Sequence, residues 1–228
     1  MNFHERIGFP LLMHKMNVEN LLKIGHPVSE SLSIDESFFG LFGDPTDRNV
    51  LNELIQFYRE CNGLFAFESA LLIRPNNTIN NVLGLSDWNA ENMWKSYYFE
   101  TSVSRKLCFA EDTFGFQFCT DGHIIEVFNP ETGHFEFMCD SLESWAGMII
   151  DNYFYYTGYP LIHEWQTING AIRPGFRLCP KQFFVLHGEY KIDNLYEIKD
   201  VEGMQLRGDL YSQINKIPDG TKIAVKIE

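Results

Sequence analysis

The chain has 228 residues, 45% of them hydrophobic, with 20 Phe, 10 Tyr and 4 Trp, enough apolar material to bury a sizeable core as one large domain or as a domain with an extension. A charged fraction of only 21% and the lack of any long low-complexity tract exclude a disordered chain. The net charge of −13 argues against nucleic acid and anionic membranes as partners and favours a basic one.

In chain order, Met1–Met16 carries only a short apolar run, Phe9 to Met13, and lacks the longer apolar core of a signal peptide. No stretch of the chain is long and apolar enough to cross a bilayer, so a cytoplasmic protein is expected. Residues 1–33 read as an N-terminal helical segment, with Asn17 capping a short helix through Lys23 that Gly25 and Pro27 close. Residues 27–48 read as a loop interrupted by the apolar patch FFGLF.

RNVLNELIQFYRECNG is the first strong helix. Val50, Leu51, Leu54, Phe57, Tyr58 and Cys61 recur at three- and four-residue steps, and Asn62-Gly63 supplies a stop. LFAFESALLIRP reads as a strand ended by Pro75, PNNTINN as a loop, and SDWNAENMWKSYYFE as a second helix on which Trp94 and Tyr98 share a face.

A β-rich region follows. Lys106–Ala110 and Phe114–Cys119 flank Glu111-Asp112-Thr113 at hairpin spacing, and Phe114, Phe116 and Phe118 alternate with the two-residue period of a strand. Thr120-Asp121-Gly122 is a second turn and Asn129-Pro130-Glu131-Thr132-Gly133 a third, between strands His123–Phe128 and His134–Cys139. That third turn pairs Asn129 with His134 and Phe128 with Phe135. Both faces of this antiparallel meander are apolar, so cover on both sides is expected. Asp140-Ser141-Leu142-Glu143 matches a capping box with Asp140 at the cap, opening a helix striped by Leu142, Trp145, Ala146, Ile149, Ile150 and Tyr153 and stopped by Gly158 and Pro160. From 160 to 228 the pattern changes: RPGFRLCP reads as a loop, FFVLHGEYKIDNLYEIKD as strand–turn–strand, GDLYSQINKI as a short helix and PDGTKIAVKIE as turn plus strand. The class is therefore α+β, a mainly antiparallel sheet flanked by helices, with a core domain at 34–159 and a C-terminal β-rich extension at 160–228 packed on it.

The charge is unevenly placed. Between residues 107 and 172 there is no Lys or Arg, against Glu111, Asp112, Asp121, Glu126, Glu131, Glu136, Asp140, Glu143, Asp151 and Glu164. This is either a solvated acidic face or, the sharper reading, a docking surface for something cationic.

One order of parts resembles a known family. A helix ends in Asn62-Gly63, a strand follows, then Phe109-Ala110-x-Asp112-x-x-Gly115-x-x-Phe118-x-x-Asp121, a meander, and Asp140-Ser141-Leu142 opening an aromatic-rich helix. Over about residues 34–157 this resembles the SUKH superfamily, which includes bacterial toxin-immunity proteins and yeast cell-wall-assembly regulators. The resemblance implies an α+β fold and a protein that works by binding, with no catalytic residue to carry over. Gly63, Asp112, Gly115 and Asp121 match as fold-defining positions only, alongside Asn62 and Asp140.

Motifs for chemistry are weak. Glu111, Asp112 and Asp121 fall in turns, where acidic residues are expected without a metal or an acid–base role. The seven histidines hold no i,i+4 pair, and Thr167 stands where His163-Glu164 would need a second zinc ligand. No Gly-x-Ser-x-Gly occurs, and Gly40-Leu41-Phe42-Gly43 lacks the Lys-Ser/Thr of a phosphate loop. The five cysteines, at 61, 108, 119, 139 and 179, are odd in number and lack Cys-x-x-Cys spacing, so they read as small buried hydrophobes rather than a disulfide framework or a zinc site. No catalytic, cofactor or metal site is expected. The expected function is an immunity protein that binds and neutralises a cognate, basic, secreted toxin such as a nuclease; the alternative is an intracellular regulator or scaffold. The residues expected to meet the partner are Glu111, Asp112, Asp121 and Glu131; Trp88 and Trp94 are candidate aromatic anchors, against the commoner fate of such side chains, core packing.

Overall fold

Residues 16–32, 34–44, 49–218 and 220–221 are described by a computed structural model of the chain. The strand expected at the C-terminus and the segment before Met16 lie outside the described residues. The first described element is helix α1 (Met16–Ile24), so Asn17 lies inside the helix rather than capping it. Part of the expected loop is strand β1 (His26–Ser29), an edge strand among the described residues, on which Pro27 is tolerated because only the side toward β2 pairs there. The FFGLF patch begins as the one-turn helix α2 (Glu36–Phe39), capped by the Asp35 side chain.

Helix α3 (Val50–Glu60) forms where its periodicity places it, with the Asn49 side chain accepting from the Asn52 N–H. Its stop differs. Cys61 is already extended, and Asn62-Gly63 opens strand β2 (Asn62–Ala66). Gly63 has φ +77°, and a Cβ there would lie 2.7 Å from the Pro75 nitrogen. Asn62 donates to the Ser31 carbonyl and accepts from the Asn76 N–H, holding two neighbouring segments together. The run LFAFESALLIRP is not one strand. It turns through Phe67, Glu68 and Ser69, all left-handed (φ 52°, 54° and 68°), into strand β3 (Leu71–Ile73).

The helix expected over 86–100 is broken into α4 (Leu85–Trp88) and a 3₁₀ turn at Lys95–Tyr98. A continuous α-helix would set Trp88 and Trp94 about 120° apart around its axis. The break brings Trp88, Trp94 and Tyr98 into one cluster, all fully buried.

Strands β4 (Leu107–Glu111), β5 (Gln117–Thr120), β6 (Ile125–Asn129) and β7 (His134–Cys139) complete an antiparallel seven-stranded meander in sequential order β1 to β7. Phe128 pairs with Phe135 and Asn129 with His134, the register set by the turn, and a bulge follows where Ile125 meets Cys139. Phe114 and Phe116 are not strand residues. They belong to the β4–β5 connection, where Asp112 Oδ1 accepts from the Phe114 and Phe116 N–H groups and Gly115 takes φ +82°.

Helix α5 (Leu142–Asp151) lies on the sheet through Leu142, Trp145, Ala146 and Ile149. Its cap is Ser141, which accepts from the Ser144 N–H, and Asp140 is exposed. Glu143 does not reach back either. Its carboxylate accepts from the Asn17 and Val18 N–H groups and so caps α1 from a distance. Past Asp151 come α6 (Tyr153–Thr157) and, after left-handed Gly158, α7 (Tyr159–Asn169). Pro160 therefore starts a helix instead of ending one.

The C-terminal part has its own two-stranded sheet, β8 (Phe176–Pro180) paired with β9 (Leu195–Lys199), so RPGFRLCP is partly strand. Helix α8 (Asp200–Ile214) begins eight residues before the expected GDLYSQINKI helix. The fold is α+β with the large sheet covered on both faces. One face meets α1, α3 and α5, and the other meets the Trp88–Tyr98 segment with Met204 and Tyr211 of α8.

Candidate functional site

The acidic residues expected at a partner surface are mostly inside. Glu111 is fully buried at the end of β4, its Oε1 2.8 Å from both Arg74 Nη2 and Arg177 Nε, and its Oε2 accepts from Gln117 Nε2. Arg74 also pairs with Asp200 at 2.9 Å, and its guanidinium lies 3.2 Å from the centre of the Trp88 ring. Two guanidiniums and two carboxylates thus neutralise one another at the contact of β3, β4, β8 and α8. Burial opposes charge on Glu111, but Arg74 and Arg177 outweigh it and hold its carboxyl below the ordinary range. Glu131 is buried too, accepting from the Val185 N–H with Arg207 Nε 3.8 Å away, and burial raises its pKa.

Asp112 is 7% exposed, and burial pushes its carboxyl up to about 7 against the two backbone N–H groups that it accepts. Asp121 is the one partly open member of the expected set. The His123 and Ile124 N–H groups and Lys106, at 3.7 Å, outweigh its partial burial and lower its pKa. Of these four carboxylates, Asp112 and Glu131 share the charge of Arg207. Each is engaged by an arginine, a lysine or backbone N–H groups, and no group of three or more His, Cys, Asp or Glu among the described residues is arranged to hold a metal ion. Trp88 and Trp94 are fully buried and present no side chain to a partner, because both fill the layer beneath α8.

What the fold leaves open lies elsewhere. A groove of about 860 Å³ runs between the β6–β7 hairpin and the α6–α7 junction, with the 112–116 connection and Tyr190 among its lining. Its walls carry Phe137 at 62%, Phe154 at 55%, Tyr155 at 74% and Tyr190 at 56% exposure, well outside the usual fate of such side chains. β7 is an edge strand of the sheet, with one side that no strand pairs among the described residues. Glu136 lines the groove, and Asp140, Asp151 and Glu164 are exposed on the elements around it. None of these four forms an ion pair among the described residues.

A second local feature adjoins this region. The strained turn at 67–69 is held by α6 and α7: Phe67 stacks on Tyr153 at 4.6 Å, Glu68 accepts from Tyr159 and from His163 Nδ1, and Gln166 donates to the Glu68 carbonyl. The hydrogen bond from His163 lowers the Glu68 pKa.

Neither a protein-family model nor a curated protein matches the chain. Among solved structures, the chain is similar to the crystal structure of Atu4351 from Agrobacterium tumefaciens, with 12% identity and a TM-score of 0.52 over 83% of this chain and 87% of that one. At that identity the likeness is one of fold. It spans more of the chain than residues 34–159, so it includes part of the N-terminal or C-terminal segments.

Apart from Asp112, which lines the groove within the 112–116 connection, the groove residues are ones that sequence reading missed. The alternation in HFEF puts Phe135 and Phe137 on one face, and both were expected under cover. Phe137 stays exposed, whereas Phe135 two residues earlier packs against the cluster of Trp88, Trp94 and Tyr98. One helix was expected to run on to Gly158 with Tyr153 on its buried stripe, but α5 ends at Asp151 and the separate helix α6 turns Phe154 and Tyr155 outward.

Proposed function

We propose that this is a non-catalytic binding protein, an immunity-type protein that captures and neutralises a cognate cationic toxin domain in the cytoplasm of the cell that makes it. The observation that carries the reading is the open aromatic groove along β7, with Glu136 in its wall and, on the flanking elements, exposed carboxylates that form no ion pair among the described residues. Exposed Phe and Tyr supply large apolar contact area with few rotors to immobilise, as in binding hot spots. Exposed carboxylates around them speed the encounter with a basic partner. The resemblance to the SUKH superfamily points to the same class of activity, and the engagement of Glu111, Asp112 and Glu131 within the fold is in keeping with a role other than catalysis.

The test is co-expression with the polypeptide encoded immediately upstream. The expected result is rescue of growth and co-purification, with an association rate that falls as salt rises. Replacing Phe137 and Tyr155 by Ala together is expected to weaken the complex at least about tenfold with an unchanged melting temperature. Failure to rescue and to co-purify would overturn the reading and return weight to an intracellular regulator. An equal on-rate at low and high salt would remove the role given to the carboxylates.

A further inference from the structure

Cys108 in β4 and Cys119 in β5 face each other directly across neighbouring strands near the middle of the large sheet. Their sulfurs are 3.0 Å apart and both residues are fully buried. The pairing type is decided by the backbone. The Cys108 N–H donates to Asn89 Oδ1, and the Cys108 carbonyl accepts from Asn89 Nδ2. Both main-chain groups of Cys108 thus point away from β5, so Cys108 and Cys119 form a non-hydrogen-bonded pair. At such pairs the Cα atoms approach to about 4.5 Å and the side chains stand closest, within the Cα range of about 4.4–6.8 Å that a disulfide needs. Asn89 takes the place of a peptide group on the far side of β4, and a register shift follows Cys108 in the β4–β5 ladder.

We infer that Cys108 and Cys119 are a dithiol that closes to a cross-strand disulfide on reaction with hydrogen peroxide. This oxidant, not much larger than water, suits thiols sealed from solvent. The pair divides into attacking and resolving partners. Burial opposes ionisation of Cys108, but the hydrogen bond with Cys119 and the charges of Lys95, Arg74 and Lys106 outweigh it and lower its pKa, whereas burial and Cys108 push Cys119 up. The Cys108 thiolate attacks one peroxide oxygen; an S–O bond forms, the O–O bond breaks, and the departing hydroxide takes up a proton as water. The Cys119 sulfur then attacks the Cys108 sulfenic acid. The S–S bond forms, the S–O bond breaks, and the hydroxide leaves as a second water with the Cys119 proton. Two thiols lose two electrons and one hydrogen peroxide gains them. The other cysteines stand as internal controls. Cys61 and Cys139 donate to the Gly63 and Ser141 carbonyls, and burial pushes each up to about 11.

The experiment treats the folded full chain with hydrogen peroxide, then alkylates it under denaturing conditions. Three thiols are expected to label where the five free cysteines of untreated protein all label, the intact mass falls by two hydrogens, and a peptide map joins Cys108 to Cys119. The melting temperature is expected to rise by roughly 5–10 °C and to fall back on reduction with dithiothreitol. In Cys119→Ser, Cys108 is expected to stop at the sulfenic acid and to take up dimedone when the peroxide-treated chain is unfolded in its presence. Five labelled thiols after treatment, a crosslink between any other pair, or dimedone uptake by Cys108 in the wild-type chain would each overturn the proposal. The peptide map of wild-type protein decides the matter even if the variant does not fold.

Discussion

Asp112 shows how one carboxyl can be a fold signature and yet titrate abnormally. It organises the β4–β5 connection through the Phe114 and Phe116 N–H groups, and burial pushes it up to about 7. A carboxyl raised in the folded state binds its proton more tightly than in the unfolded chain, where it titrates near 3.9. The folded protein is thus favoured at low pH by this group, and that contribution is lost as pH rises from about 4 through about 7, by on the order of 2–4 kcal/mol. Asp112→Asn keeps an acceptor for both N–H groups, so its stability is expected to lack this decline in urea titrations at pH 4.5 and 7.5. An unchanged slope would remove the assignment. Glu111 belongs to the opposite case. Glu111→Gln leaves Arg74 and Arg177 short of a counter-charge in a site without water access, and a loss of about 3–5 kcal/mol in denaturant titrations is expected. A loss below 1 kcal/mol would mean that Asp200 alone compensates the pair.

At the scale of elements, local pattern and long-range contact share the work. Helix α3, the turn at 129–133 and the stripe on α5 follow from periodicity and turn chemistry, and each forms where those signals lie. The boundaries were less legible, since they depend on what an element touches. Asn62-Gly63 has the composition of a helix stop, but Gly63 is required by the Pro75 backbone packed against it. Gly63→Ala should therefore cost more than a surface helix stop would, about 2 kcal/mol or above, read as a lowered melting temperature. Glu143 has the spacing of a capping box, yet its carboxylate serves α1, more than a hundred residues away in sequence. Glu143→Gln replaces charged acceptors by a neutral amide and is expected to cost about 1 kcal/mol, with faster hydrogen exchange confined to α1. Exchange rising in α5 instead would restore the local cap.

Across the whole molecule, the segments around residues 34–159 are built into it. β1 extends the sheet at one edge, and α8 seals the face that carries Trp88, Trp94 and Tyr98. A fragment of 34–159 alone exposes that layer and leaves Arg74 and Glu111 without Asp200 and Arg177. It is expected to lack a cooperative thermal transition, and a sharp melt near that of the full chain would contradict this. By itself the sequence determined the α+β class, the meander and its register at 129–134, because two-residue alternation and Gly- or Asp-bearing turns act between near neighbours. Only the tertiary structure decided which charges meet solvent. The acidic run from 107 to 172 looked like one surface, but Arg177 and Arg207 from beyond it and Arg74 from before it draw Glu111 and Glu131 inside, leaving Glu136, Asp140, Asp151 and Glu164 exposed. Burial of a charge is set by a partner that can stand anywhere along the chain, and no local period records where that partner is.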